Sequence, residues 1–453
     1  MNGQLLSRPK RPFTVMSSTH FIAVSSGKRE TVSVVSKTGR LLVYASLLFN
    51  IVLCFINTQH WFHVGTIFVS ISELLIVVGG LYLIRTQLSR RIIEIFCLLS
   101  LYLIALKFIN PDLDLKILID LSIPYIFYKI GTLSSIEQAN RTLWTVMIIV
   151  LAVGSFELLL PTQFGDVFDV WSYYVDKGGI GQDVVDYSHT NLFVSGFRGS
   201  VEARMFFPGL LGAHRVSSVF LEPVSMGNFA TIVIAWCLSI SGPVRGRQFL
   251  LAFMAFVCIV VTDSRFAVGC SLIMLTCRFL PVIRSRFLLF FLPILTILTL
   301  TVVGSFKELP GVLPSIMADN FPGRLLFSAR LLNYWNVSQW FALVPSQVYT
   351  ADTGYAYVVN NLGLPVAVLL QGAFAAHIVQ KREADILKFM IGVYFATSLC
   401  VGESIFSIKT AALLWFLFGA TNAITGAEKT APAHRANWPF IHGMRPTAQE
   451  RSL

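Results

Sequence analysis

Residues 214–229 read His214-Arg215-Val216-Ser217-Ser218-Val219-Phe220-Leu221-Glu222-Pro223-Val224-Ser225-Met226-Gly227-Asn228-Phe229, and an apolar run continues to Ile240. A cation, two hydroxyls and a carboxylate stand in the mouth of a segment long enough to cross a bilayer. Charge at that depth is costly in hydrocarbon and marks a polar cavity or a pathway. The segment also closes a long polar connection, which points to work done on something outside the membrane. What Arg215 and Glu222 face decides most of what can be said about function.

The surroundings of this stretch are equally apolar. Of 453 residues, 55% are apolar and 13% charged, against roughly a quarter charged in a soluble domain. Runs of about 20 apolar residues, each enough for one helical crossing, recur along the chain. Twelve spans are expected, at about 41–57, 64–84, 92–109, 116–129, 143–160, 218–240, 248–262, 265–281, 287–305, 354–379, 387–402 and 404–424. The expected fold is all-α, a polytopic integral membrane protein with a polar, basic tail over 1–40, a transmembrane domain over 41–424 and a second tail over 425–453. With both ends inside, the cytoplasmic segments hold 24 of the 35 Lys and Arg and the other side nine, with Lys107 and Lys409 inside spans. That asymmetry is the positive-inside bias. It accounts for the net charge of +11 without a nucleic-acid partner.

All seven cysteines (Cys54, Cys97, Cys237, Cys258, Cys270, Cys277 and Cys400) fall in apolar runs, so no disulfide framework is implied. No Cys/His spacing fits a metal. His60 and His63 read as interfacial residues beside Trp61 and Phe62.

Two outer connections are long, Pro161–Arg215 and Phe306–Thr353, and long loops are often functional. The first begins with Asp166, Asp169, Asp176, Asp183 and Asp186, carries Trp171, Tyr173 and Tyr174, and ends basic at Arg198, Arg204 and Arg215. Aromatics beside carboxylates suit a sugar-binding surface; a solvated loop with interfacial aromatics fits the same residues. In the second, Arg324 and Arg330 would lie about 120° apart around a helix over 323–341. With Arg265 in the short Thr262-Asp263-Ser264-Arg265 turn, the outer face gathers Arg215, Arg265, Arg324 and Arg330. Guanidinium groups bind phosphate bidentately and stay ionised, so a diphosphate at the membrane surface is the expected ligand.

Three stretches carry a resemblance. Arg215-x-x-Ser218-x-Phe220-x-Glu222-Pro223-x-x-x-Gly227, Thr262-Asp263-Ser264-Arg265-Phe266-Ala267, and Asp352-x-Gly354-Tyr355 with Asn361-Leu362-Gly363-Leu364 resemble, in order and spacing, motifs of the Wzy-type bacterial polysaccharide polymerases and O-antigen ligases. The resemblance covers about residues 210–370. The Glu-Pro form is similar to the exopolysaccharide polymerase branch. Ligases tend to carry a histidine in the second long loop, and none occurs here between His214 and His377.

The resemblance implies a multi-pass bacterial inner-membrane glycosyltransferase without cofactor or metal. Its substrate would be an undecaprenyl-diphosphate-linked oligosaccharide, transferred with inversion on the periplasmic side, and its partners chain-length regulator and export proteins. Glu222 is the first candidate for the base or orienting acceptor. Seven residues on from Arg215, it would share that residue's face if the segment were helical. Asp352 and His214 are second choices for the base, and Tyr355 joins His214 and the arginines as a substrate contact. Glu73, Glu94, Lys107, Asp120 and Glu157 would pair internally or line the lipid path, and Glu403 with Lys409 would form a structural pair. A ligase of the same superfamily and a lipid-linked glycan flippase remain as alternatives. The flippase suits twelve spans but not halves that differ this much.

Overall fold

The computed structural model describes residues 20–179, 191, 192, 196, 204–240, 245–280, 285–305, 321–346, 348, 350 and 353–423. Among these residues the chain is all-helical. The main helices are α1 (His20–Thr58), α2 (Thr66–Ile84), α3 (Arg90–Ile109), α4 (Lys116–Thr132) and α5 (Ile136–Leu159). Three short ones follow, α6 (Pro161–Val167), α7 (Val170–Asp176) and α8 (Pro208–Leu211), then α9 (Pro223–Ser239), α10 (Arg245–Thr262), α11 (Arg265–Phe279) and α12 (Arg286–Ser305). The last are α13 (Phe321–Tyr334), α14 (Val337–Trp340), α15 (Gly354–Ala376), α16 (Arg382–Ser398) and α17 (Ile408–Thr421).

Each of the twelve expected stretches carries a helix. Six are long and apolar enough to cross a membrane: Val35–Thr58 of α1, Thr66–Gln87, α3, α5, α12 and α15. That makes the chain a membrane protein. Pro223–Ser239, Gly246–Thr262 and Ile408–Thr421 are apolar but shorter.

Local chemistry sets the helix ends. Ser135 and Gln138 close a reciprocal capping box at the start of α5, which satisfies two orphan donors. Pro223 opens α9 at its first position, where a missing N–H costs nothing. Close crossings depend on small residues, as expected where helices pack without a hydrophobic drive between them. At the crossing of α4 and α17, a Cβ on Gly131 would overlap the Phe416 carbonyl and one on Gly419 the Tyr128 carbonyl. Gly227 of α9 lies so near α11 that a Cβ would stand 2.5 Å from Ser264 Oγ.

Side-chain bonds define the two ends of the bundle. At one end Lys388 Nζ reaches the carbonyls of Ala375 and His377, both at 2.7 Å. There Tyr128 OH also lies 3.0 Å from His377 Nε2. The other end gathers the end of α1, the starts of α2, α9, α11, α15 and α17, and the ends of α5, α10 and α16. Helix α7 is fixed there: Asn57 Nδ2 donates to Asp176 Oδ2 at 2.8 Å, and Thr66 Oγ1 donates to the Lys177 carbonyl at 2.6 Å.

The described start of the first long connection, residues 161–179, therefore folds onto the bundle. Trp171, Tyr173 and Tyr174 are buried, and Tyr173 OH donates to Asn50 Oδ1 at 2.7 Å. Neither a presented sugar-stacking surface nor a solvated loop describes them, because the apolar ring area is spent on seating α7. The helix expected over 323–341 is split. It ends at Tyr334, and Asn336 with Gln339 caps the short α14.

Candidate functional site

The mid-chain motif does not form one continuous helix. Ser218 and Leu221 have φ of +52° and +60°, and a single 3-10 turn spans Ser218–Phe220 before α9 starts at Pro223. Arg215 and Glu222 consequently do not share a helical face. The cause is Glu157, a buried carboxylate at the end of α5. Its oxygens accept the Ser217 N–H at 2.9 and 3.0 Å, the Ser218 N–H at 2.6 Å and the Ser217 hydroxyl at 3.0 Å. His214 Nε2 lies 3.0 Å from the same carboxylate. Glu157 pulls the segment out of helical register by taking the N–H groups a helix would use. Of its two expected roles, internal pairing is the one observed.

Arginine also acts on backbone here. Arg215 is 7% exposed, and its Nε donates to the Thr262 carbonyl at 2.8 Å. The buried Arg204 donates to Val260 O at 3.1 Å and Val261 O at 2.8 Å, and also to the carbonyl of His214. Both guanidinium groups thus meet the carbonyls left open at the end of α10, where the helix dipole favours cations. Asp263, at φ +49°, accepts the N–H groups of Met205 at 2.8 Å and Phe206 at 3.3 Å. The Thr262–Arg265 turn is the anchor of the first long connection. Arg265 opens α11 beside it, and α13 carries Arg324 and Arg330, with Ser328 Oγ donating to the Cys400 carbonyl at 2.9 Å. All four arginines stand at this end of the bundle. Tyr355 is buried, with its hydroxyl on the Ala396 carbonyl at 3.0 Å. Asp352 lies outside the described residues, as do Asp183, Asp186 and Arg198.

Glu222 has partners that the linear reading does not foresee. Tyr174 OH donates to its Oε1, Lys409 Nζ stands 3.5 Å from the same oxygen, and Ser225 Oγ donates to Oε2 at 2.8 Å. Lys409 thereby pairs with Glu222 rather than with Glu403. A carboxylate offers about four lone-pair sites, so one site on Glu222 is left, and its side chain is 29% exposed. Burial and the Glu222 charge hold the Tyr174 phenol far above its ordinary range, so it serves as a donor.

Lys177 stands next to this group. Its ammonium lies 3.7 Å from the centre of the Tyr174 ring and 5.2 Å from that of Tyr173, within cation–π range. Burial, reinforced by repulsion from Lys409, lowers it to about 8, against the pull of Glu222 and Glu73. Glu73, half-buried on α2, lies within electrostatic reach of Lys116, Asp120 and Lys177. Tyr357 OH donates to Asp120 Oδ2 at 3.2 Å. Glu222, Lys409 and Glu73 all act electrostatically on Lys177, and Glu73 also on Lys116 and Asp120.

Sequence reasoning names Glu222 but misses Tyr174 as its donor, Lys409 as its counter-ion and Lys177 beside it. The available signal was Lys409 itself, a cation inside an apolar run with no acidic neighbour one helical turn away. Comparison with protein families, curated proteins and solved structures finds no match to this chain.

Proposed function

We propose that the chain is a membrane glycosyltransferase that joins polyprenyl-diphosphate-linked oligosaccharide units into a polysaccharide. It would act at the periplasmic face of a bacterial inner membrane, in a twelve-span arrangement with both termini inside. The supporting observation is Glu222: a carboxylate held by Lys409, Tyr174 and Ser225 with one acceptor site left, at the end of the bundle where the arginines gather.

In this reading the acceptor hydroxyl donates to the remaining site on Glu222. The acceptor oxygen bonds to the anomeric carbon from the side opposite the diphosphate, and the carbon–oxygen bond to the diphosphate breaks with its electron pair. The hydroxyl proton passes to Glu222. Fixed cations stabilise the departing diphosphate where its charge develops. Arg215, engaged with the end of α10, is assigned to positioning; Arg265, Arg324 and Arg330 are the candidates for the diphosphate.

A deletion strain tests the reading through its lipid-linked glycans. Single units accumulating on the periplasmic face support polymerisation, and full-length lipid-linked polymer points to a ligase. Glu222→Gln should keep the protein level and lose transfer; full transfer by that variant removes Glu222 from the chemistry.

A glycan flippase is the second reading, and a separate observation favours it. Helix α15 is interrupted at Gly363, φ +70°, ahead of Pro365, and Tyr102 OH takes up the Leu362 carbonyl at 2.8 Å. Broken helices beside intramembrane charges such as Glu73 and Asp120 are a transporter trait. Single units trapped on the cytoplasmic face in the deletion strain would decide for it.

A further inference from the structure

We propose that residues 205–212 form a lipid-contacting loop in the membrane leaflet at the Glu222 end of the bundle, with acyl chains as its partner. The segment holds no Asp, Glu, Lys, Arg or His. It includes the short helix α8 and turns large apolar side chains outward: Met205 is 42% exposed, Phe207 61% and Leu210 81%. Exposed apolar patches mark protein or membrane contact sites. Phe207 has φ +46°, a left-handed conformation that is rare for a bulky residue. Backbone held in such a conformation points to a use for the ring it presents.

The partner follows from what the loop adjoins. Phe249, Phe253 and Phe256 are 50 to 75% exposed and lie on one face of α10 by their spacing. Phe206 packs edge-on against Phe256, with ring centres 6.5 Å apart. Phe256 stands six residues before the end of α10 at Thr262, about 9 Å inside it along the axis. The loop thus reaches back along the exposed aromatic face of α10 and continues it. Where α10 crosses a membrane, lipid covers that face.

The backbone suits hydrocarbon, where unsatisfied polar groups are costly. Asp263 accepts the N–H groups of Met205 and Phe206 at 2.8 and 3.3 Å. Those of Leu210 and Leu211 go to the Phe207 carbonyl at 3.0 and 2.9 Å, and that of Gly212 to the Pro208 carbonyl at 3.2 Å. Arg204 pins the loop shut: its Nε donates to the Phe206 carbonyl at 3.1 Å, and its Nη1 to those of Leu211 and Gly212 at 3.5 and 3.4 Å. A loop facing water could leave these groups to solvent. The choice of lipid rests on the twelve-span reading, in which α10 is a crossing; the exposed apolar loop does not.

The test is spin-label power saturation on the full-length protein in phosphatidylcholine–phosphatidylglycerol vesicles. A nitroxide is attached at Phe207→Cys or Leu210→Cys in a Cys97→Ser background, which removes an exposed native thiol, and the signal of the background alone is subtracted. Collisions with oxygen, which concentrates in hydrocarbon, are compared with those of a water-soluble nickel chelate. Phe253→Cys on α10 is the lipid reference, and Arg90→Cys, at a side chain 93% open, is the water reference. Melting curves establish that each labelled protein is folded. Oxygen should exceed nickel at both loop positions, as at Phe253, with the reverse at Arg90. Nickel ahead at either loop position, with oxygen ahead at Phe253, overturns the loop's place in lipid and leaves α10 a crossing. Nickel ahead at Phe253 as well overturns the twelve-span reading and the inference with it. Loop labels shielded from both reagents mean that protein, of this chain or of a second copy, covers the loop, and overturn the inference too.

Discussion

Replacing the buried Glu157 with leucine should strongly destabilise the fold. The carboxylate is 1% exposed and is the common acceptor for the Ser217 and Ser218 N–H groups and the Ser217 hydroxyl, at 2.6 to 3.0 Å. Leucine keeps the volume and removes every acceptor. Each buried donor left unsatisfied costs about 1–3 kcal/mol, so three donors give about 3–6 kcal/mol once partial rearrangement is allowed. Glu157→Gln retains one carbonyl oxygen but turns a second donor toward the two N–H groups, and about half the loss should remain. The assay is thermal unfolding of the detergent-solubilised protein followed by size exclusion. The midpoint should fall by several degrees for leucine, on the order of 5 °C, and by less for glutamine. Because the same carboxylate holds the Ser218 N–H where its φ is positive, Glu157→Leu should also loosen the turn that leads into Glu222 and, on the glycan-transfer reading, lower transfer in cells. A leucine variant with an unchanged midpoint would refute the clamp, since no other contact of Glu157 explains the break before α9.

Two further outcomes can be checked on the same material. Gly419→Ala should destabilise by about 1–3 kcal/mol or more, because the added Cβ meets the Tyr128 backbone carbonyl; an alanine variant as stable as wild type would mean that α4 and α17 do not cross this closely. Lys177→Met should show a pH-dependent gain. A lysine lowered to about 8 in the fold, from about 10.4 unfolded, binds fewer protons folded than unfolded between those values, so wild-type stability rises with pH there. The midpoint advantage of methionine should be full below pH 8 and shrink from pH 8 to about 10; a difference that stays constant across that window contradicts a lowered Lys177.

The amino-acid sequence determined the kind of protein. Hydropathy is a local sum, so each apolar run announced its helix, and a helix lies on every expected stretch. The charge set into residues 214–229 was equally legible, because charge beside an apolar run is a one-dimensional signal. Helical register was not. Whether Ser217 and Ser218 give their N–H groups to their own helix or to Glu157 depends on a carboxylate from another helix, and only packing brings it there. The same holds for Glu222. In the chain its near neighbour of opposite charge is Arg215, yet Arg215 is taken by the end of α10 and Glu222 by Lys409 of α17. Ion pairs are decided by which side chains the crossings bring within a few ångströms, and that distance is a property of the tertiary structure alone.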